Sequence, residues 1–249
     1  MARHRATPVR RGVTVDSFTI ESRALGKAMP IKVAVPVGGA MGRPLLVFLH
    51  GRGDDEGSEL FQGLFDALTK RDAPVVAFPY GGDASYWHDR KSGAWGRYVV
   101  SDVIPQVVRR YHLDAKRVAI GGISMGGFGA LNLARLHPGF FCAVGAHSPA
   151  LWRRAGETAP GAFDDAKDFA QNDVIGSAQH GAFQDEHLWI DIGSDDPFVP
   201  GVDAIIKALA DGNAETERFP GGHGTNYWRT HFARYMTFYT AALRDCGTK

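Results

Sequence analysis

Five residues, Gly122-Ile123-Ser124-Met125-Gly126, constrain the fold of this 249-residue chain more than any others. Before them Val118–Gly122 is a short apolar run ending in glycines, and after them the segment from Gly126 to Leu136 suits a helix. A G-x-S-x-G between strand and helix makes a sharp turn that lifts a serine hydroxyl off the end of a parallel sheet. The turn crowds its own flanks, so the positions two before and two after the serine must be small. Gly122 and Gly126 meet that demand, and Gly127, Gly129 and Ala130 let the helix pack closely behind. The motif predicts an α/β architecture with Ser124 presented as a nucleophile.

Patterning along the rest of the chain agrees. Val13–Ile20 and Pro30–Val37 are β-rich and predict an antiparallel opening pair. Leu45–Leu49 and Pro74–Pro79 are continuous apolar runs that suit strands buried on both faces. Further strands are predicted at Phe140–Ala146, Leu188–Ile192 and Ala214–Phe219. Apolar residues recur at helical spacing in Leu60, Phe61, Leu64, Phe65 and Leu68, and in Val100, Val103, Ile104, Val107 and Tyr111, where Pro105 falls near the helix start. They recur again in Val202, Ile205, Ile206 and Leu209, and in a closing stripe of Trp228, Phe232, Tyr235, Met236, Tyr239 and Leu243. Strands alternating with helices from residue 45 onward predict a mostly parallel central sheet with helices on both faces and antiparallel strands at the N-terminus. Residues 1–12, rich in arginine, are read as a disordered basic arm. Residues 13–249 are read as a single domain, with an insertion at about 152–184 where periodicity is weak.

Composition narrows the partners. A formal net charge of +1 gives no general electrostatic grip on nucleic acid. No apolar run is long enough to span a bilayer, so no membrane partner is expected. Two cysteines make no disulfide framework and have no metal-ligand spacing. Cys142, in FFCAV, is read as a small buried hydrophobe and Cys246 as part of the terminal tail, which makes the cytoplasm the default compartment.

A serine hydroxyl needs a base within hydrogen-bond reach, and the base needs an orienting acid. In open α/β sheets such groups collect beyond the carboxyl ends of the strands. Asp195 and Asp196 follow the Leu188–Ile192 strand, and His223 follows the last strand within FPGGHGTNYW. The order Ser, Asp, His is that expected of α/β-hydrolases. His223, flanked by glycines, is the candidate base; His112, His137, His147, His180, His187 and His231 are read as helix-end, loop or surface residues. A tetrahedral intermediate needs two N–H donors for its oxyanion. Met125, after the serine, supplies one, and Arg52, in the loop His50-Gly51-Arg52-Gly53 after the Leu45–Leu49 strand, supplies the other. Among the loop aromatics, Trp87, Tyr227 and Trp228 are the candidate substrate-binding residues.

The segment DVIPQVVRRYHLDAKRVAIGGISMGGFGALNLARLHPGFF resembles the central part of the esterase D and S-formylglutathione hydrolase group, a branch of the α/β-hydrolases related to feruloyl esterases and mycolyltransferases. LWIDIGSDDPFV and FPGGHGTNYW resemble that group's acid and histidine motifs. The resemblance implies an α/β-hydrolase fold and a carboxylic-ester or thioester hydrolase needing no metal or cofactor, acting on a small-molecule ester. It assigns Ser124 as nucleophile, Asp196 as acid and His223 as base. The G-x-x-D-x-x-V spacing from Gly193, which resembles the acid loop of many α/β-hydrolases, and the extended bias imposed by Pro197 favour Asp196 over its neighbours Asp191 and Asp195. The loop His50-Gly51-Arg52 departs from the group's more apolar version, which leaves the ester's identity open, glutathione thioesters included. An acyltransferase with the same triad and a non-catalytic binding module are the competing expectations, and the sequence does not set the oligomeric state.

Overall fold

The computed structural model describes residues 5–6, 12–58, 62–209 and 214–246. Nine strands form one sheet: β1 (Arg5–Ala6), β2 (Thr14–Ser22), β3 (Lys27–Val35), β4 (Leu45–Leu49), β5 (Val75–Pro79), β6 (Val118–Ile123), β7 (Ala143–His147), β8 (Leu188–Gly193) and β9 (Glu215–Phe219). Their spatial order is β1-β2-β3-β5-β4-β6-β7-β8-β9. The first three strands and the β3–β5 pair are antiparallel, and every neighbouring pair from β5 to β9 is parallel. Of the predicted basic arm, Arg5–Ala6 pairs with β2; residues 1–4 and 7–11 lie outside the described residues, as do Leu60 and Phe61.

Period-two alternation explains why the central strands read as unbroken apolar runs. Leu45, Val47 and Leu49 of β4 point into one core and Leu46 and Phe48 into the other. Val75 and Ala77 of β5 divide from Val76 and Phe78 in the same way. On the first face pack α2 (Ile104–Tyr111), α3 (Met125–Leu136), α5 (Val174–Gln179) and α6 (Val199–Ala208). On the second lie α1 (Gln62–Leu68) and the long closing helix α7 (Thr225–Asp245), whose predicted stripe is buried throughout.

The helix containing Pro105 begins earlier than its periodicity predicts. A turn at Trp95–Arg97 runs into a π-helical stretch, Tyr98–Val103, before α2. Pro105 has no N–H to donate and its ring crowds the carbonyl four residues back. The chain widens by one residue per turn instead, and the Ile104 N–H reaches the Val99 carbonyl.

Segment 152–184 contains α4 (Ala166–Gln171) and α5, whose first turns are capped by the carboxylates of Asp165 and Asp173. It is fastened to the loop after β5. The Arg90 guanidinium donates to Asp164 at 2.9 Å and to the Gly161 carbonyl at 2.7 Å, and His88 Nε2 lies 3.1 Å from Asp168.

The two cysteines are not independent, contrary to the sequence reading. Cys142, partly exposed just before β7, is joined to Cys246 at the end of α7, 104 residues away. The partnership is invisible in the sequence because it depends on α7 folding back across the sheet. A disulfide typically stabilises by about 2–4 kcal/mol. At roughly 2–4 °C per kcal/mol for a chain of this size, reduction or Cys142→Ser should lower Tm by about 5–15 °C. A melt unchanged by reductant would show that the bond contributes nothing.

Candidate active site

Ser124 stands between β6 and α3 at φ 51°, ψ −114°, a backbone conformation that costs about 1–3 kcal/mol and persists only where surroundings enforce it. Three backbone hydrogen bonds do so, each 3.0 Å long: Ser124 N–H to the His147 carbonyl, and Phe128 and Ala150 N–H to the Ser124 carbonyl. The glycines that the motif demands serve close approach. A methyl on Gly126 would strike the Leu49 carbonyl oxygen, and one on Gly122 would lie 2.6 Å from that same oxygen.

The side chain of Ser124 meets the predicted partners. Ser124 Oγ is 2.8 Å from His223 Nε2, and His223 Nδ1 is 2.7 Å from Asp196 Oδ2. With the Nδ1 N–H donating a hydrogen bond to the carboxylate, Nε2 is left to accept the serine proton. Asp196 is buried, and its other oxygen accepts the Phe198 N–H at 2.8 Å, so the carboxylate cannot swing away. Asp195 is exposed and uses its backbone N–H to bind the Gly221 carbonyl at 2.9 Å. Phe198 and Trp228 flank the imidazole, with ring centroids 4.9 and 5.1 Å away. About a fifth of the His223 side chain is exposed.

The loop carrying Arg52 is shaped by a histidine whose role the sequence reading missed. The Gly81 N–H donates to His50 Nε2 at 2.9 Å, so the proton sits on Nδ1, which donates to the Gly51 carbonyl at 2.8 Å. Burial holds His50 below the usual imidazole range, as it does His88. The loop lies against the nucleophile, since a methyl on Gly51 would be 3.6 Å from Ser124 Cβ. The same methyl would be 3.0 Å from a carboxylate oxygen of Asp54, whose affinity for a proton is raised by burial. Met125 opens α3, so its N–H has no carbonyl four residues earlier in the helix to bind. The positive charge of the Arg52 guanidinium partly offsets the upward push that burial gives the Tyr86 hydroxyl.

The predicted substrate-binding aromatics are placed differently from expectation. Trp87 is wholly buried: it packs on Gly81 and Gly129 and donates its indole N–H to the His50 carbonyl at 3.2 Å. Its large apolar area is needed beneath the loop rather than at its rim. Tyr227 is also buried, with its hydroxyl on Asp191 at 2.8 Å, and Trp228 backs His223 edge-on. Trp152 and Phe198, both partly exposed, border a cavity of about 420 Å³ together with Leu151, Pro197 and Pro200. A second cavity of about 580 Å³ follows the histidine loop, with Thr225, Asn226 and His231 among its walls.

His147, read from sequence as a peripheral histidine, is fully buried and bonded to Asp191. The signal was available: Asp191 is an acid inside the apolar run LWIDIG, and a buried carboxylate must find donors.

Two consequences can be measured. Trp87→Ala should cost about 3–5 kcal/mol in urea unfolding, as large core truncations do; a rise in KM with stability unchanged would return Trp87 to the substrate. His50 and His88 both bind protons less readily folded than unfolded, where an imidazole titrates near 6.5. The unfolded chain therefore binds more protons below about that pH, and stability should fall as pH drops from about 7 towards 5. Urea melts across that range test it, and a rise in stability on acidification would contradict it.

A family model described as "Putative esterase" matches residues 22–239. The bifunctional acetylxylan esterase/xylanase of Neocallimastix patriciarum is 34% identical over 108 residues, covering 42% of this chain and 16% of that protein. The diacylglycerol acyltransferase/mycolyltransferase Ag85A of Mycobacterium tuberculosis (strain H37Rv) is 28% identical over 200 residues, 74% of this chain and 58% of that protein. The chain thus spans less than two thirds of these relatives. Among solved structures, an S-formylglutathione hydrolase from Agrobacterium tumefaciens superposes with a TM-score of 0.82 at 17% identity, covering 97% of this chain and 100% of the other, which establishes the α/β-hydrolase fold. With the matched region enclosing the serine turn, the acid loop and the histidine loop, the chain belongs to the esterase family that this model describes.

Proposed function

We propose that this esterase-family chain is a serine carboxylesterase that works through an acyl-enzyme. The observation that carries the reading is the unbroken line of hydrogen bonds Ser124–His223–Asp196, assembled from three separate loops. Ser124 Oγ attacks the acyl carbon while His223 Nε2 takes its proton, and the tetrahedral oxyanion is received by the N–H groups of Met125 and Arg52. Buried Asp196 holds the imidazole in the tautomer that accepts this proton and stabilises the imidazolium. His223 then protonates the departing alcohol, and water repeats the sequence to release the acid. No step calls on a metal or cofactor.

A second reading, acyl transfer through the same triad, draws support from the match to an acyltransferase over 74% of the chain. The two differ only in whether water or an alcohol takes the acyl group. Added alcohols that divert product from acid to ester, without changing the rate of acylation, would favour transfer. A non-catalytic binding module has little in its favour, because nothing about simple binding requires the strained serine and its aligned base. As to compartment, a disulfide such as Cys142–Cys246 persists in oxidising surroundings, so the cysteine argument for the cytoplasm no longer holds.

Ser124→Ala should lower ester turnover about a thousandfold or more and abolish labelling by a fluorophosphonate probe, with the fold retained. Asp196→Asn should cost about a hundredfold or more, whereas Asp195→Asn should cost less than about tenfold, as expected for an exposed carboxylate with only local contacts. Turnover of p-nitrophenyl esters measures all three. Activity of Ser124→Ala within tenfold of wild type, or the reverse order for the two aspartates, would overturn the assignments.

A further inference from the structure

Beneath the candidate triad, between the sheet and α7, lies a set of buried polar side chains that the ester chemistry does not use. His147 Nδ1 donates to Asp191 Oδ1 at 2.5 Å, and the hydroxyls of Tyr227 and Tyr235 donate to Asp191 Oδ2 at 2.8 and 3.0 Å. His147 Nε2 lies 2.8 Å from the Tyr239 hydroxyl, which occupies the space that methyls on Gly121 and Gly145 would need. Tyr235 stacks on the His147 ring at 3.5 Å and 14°. Burial, reinforced by the Asp191 charge, pushes the tyrosine hydroxyls up, so all three remain neutral donors.

Such a cluster is a poor device for stability. Removing charges from water is costly, and well-packed apolar residues in their place are commonly as stable or more so. Its distinctive property is where it sits. In the sheet register His147 is opposite both Asp191 and Ile123, the residue before the nucleophile, and its carbonyl holds the Ser124 N–H. Asp191 is on the strand that leads into the Asp196 loop. Tyr227 is in the first turn of α7, four residues after His223, and a methyl on Gly221 of the histidine loop would lie 3.1 Å from its ring. Segments carrying all three members of the candidate triad therefore converge on one carboxylate.

The histidine loop, Pro220-Gly221-Gly222-His223-Gly224, has three glycines and little stiffness of its own. We propose that the Tyr227–Asp191 hydrogen bond is a positioning link: it fixes the first turn of α7, and with it the height of His223, against the strand ends that carry Ser124 and Asp196. Tyr227 touches no substrate and acts through His223. A displacement of about 1 Å between reacting groups can cost about a hundredfold in rate, so a single directional bond at the root of this loop has leverage on turnover. Tyr235 donates to the same oxygen from two turns further along α7, where it faces the sheet rather than the loop. The inference rests on the triad reading above.

Tyr227→Phe and Tyr235→Phe each remove one hydroxyl from the same buried carboxylate while keeping the ring, which gives a matched pair for the test. Tyr227→Phe should lower kcat about 10- to 100-fold with KM within twofold, and should slow fluorophosphonate labelling of Ser124 by a similar factor. Tyr235→Phe should lose as much or more in Tm, yet keep kcat within threefold. Wild-type kcat in Tyr227→Phe overturns the proposal, and so do parallel losses of kcat in the two variants that track Tm, the behaviour of a cluster that only supports the fold. A loss falling on KM also overturns it, returning Tyr227 to substrate contact. Ser124→Ala, measured alongside, separates the two levels. An active Ser124→Ala defeats the triad reading itself, whereas an inactive Ser124→Ala with an unimpaired Tyr227→Phe defeats the positioning link alone.

Discussion

Holding one serine at positive φ is what the central part of this sheet accomplishes. The conformation of Ser124 costs about 1–3 kcal/mol, and each enforcing backbone bond contributes about 1 kcal/mol net. Three are therefore about what is required. They come from the end of β7, from the first turn of α3 and from the segment after β7, so β7 must run parallel to β6 and must end at His147. On the other side, β4 brings its Leu49 carbonyl so near the turn that only glycine fits at 122 and 126. The three adjacent parallel strands and the helix behind them are thus conditions of a single residue's geometry.

Polar chemistry inside the core follows the same economy of place. His50 is kept neutral between the Gly81 N–H and the Gly51 carbonyl, and in that state it shapes the loop that carries Arg52. Asp191 gathers three donors on the opposite face of the sheet. Each buried group has at least one partner from an element distant in sequence, which ties its position to theirs. A site built on loops acquires in this way the rigidity of the sheet beneath it.

Family membership and fold support the general chemistry proposed above, ester hydrolysis or acyl transfer. They do not carry a substrate, because structures with this fold and identities below 20% accompany different esters. Around the triad of this chain stand the half-buried Asp54 beside the nucleophile and the Trp152–Phe198 wall beside the acid loop.

Whatever rests on neighbours in the chain was legible in the sequence. The serine turn is encoded by glycines two residues either side, and the strand–helix alternation by local periodicity. Asp196 could be preferred over Asp195 from Pro197 and from a Gly193-to-Val199 spacing that resembles α/β-hydrolase acid loops, and it is Asp196 that reaches His223. What remained hidden depends on contacts between residues far apart. Nothing near Cys142 announces Cys246, 104 residues later. Trp87 looks like a rim residue in its loop and becomes core only when the glycines at 81 and 129 come to meet it. The closing stripe of α7 reads as apolar, yet its tyrosine hydroxyls have partners because β7 and β8 set His147 and Asp191 side by side. Local pattern determines which elements form and which face they bury; the pairing of buried polar groups is decided by sheet order and helix packing, because a hydrogen bond needs its partner within about 3 Å and only the assembled tertiary structure brings such distances about.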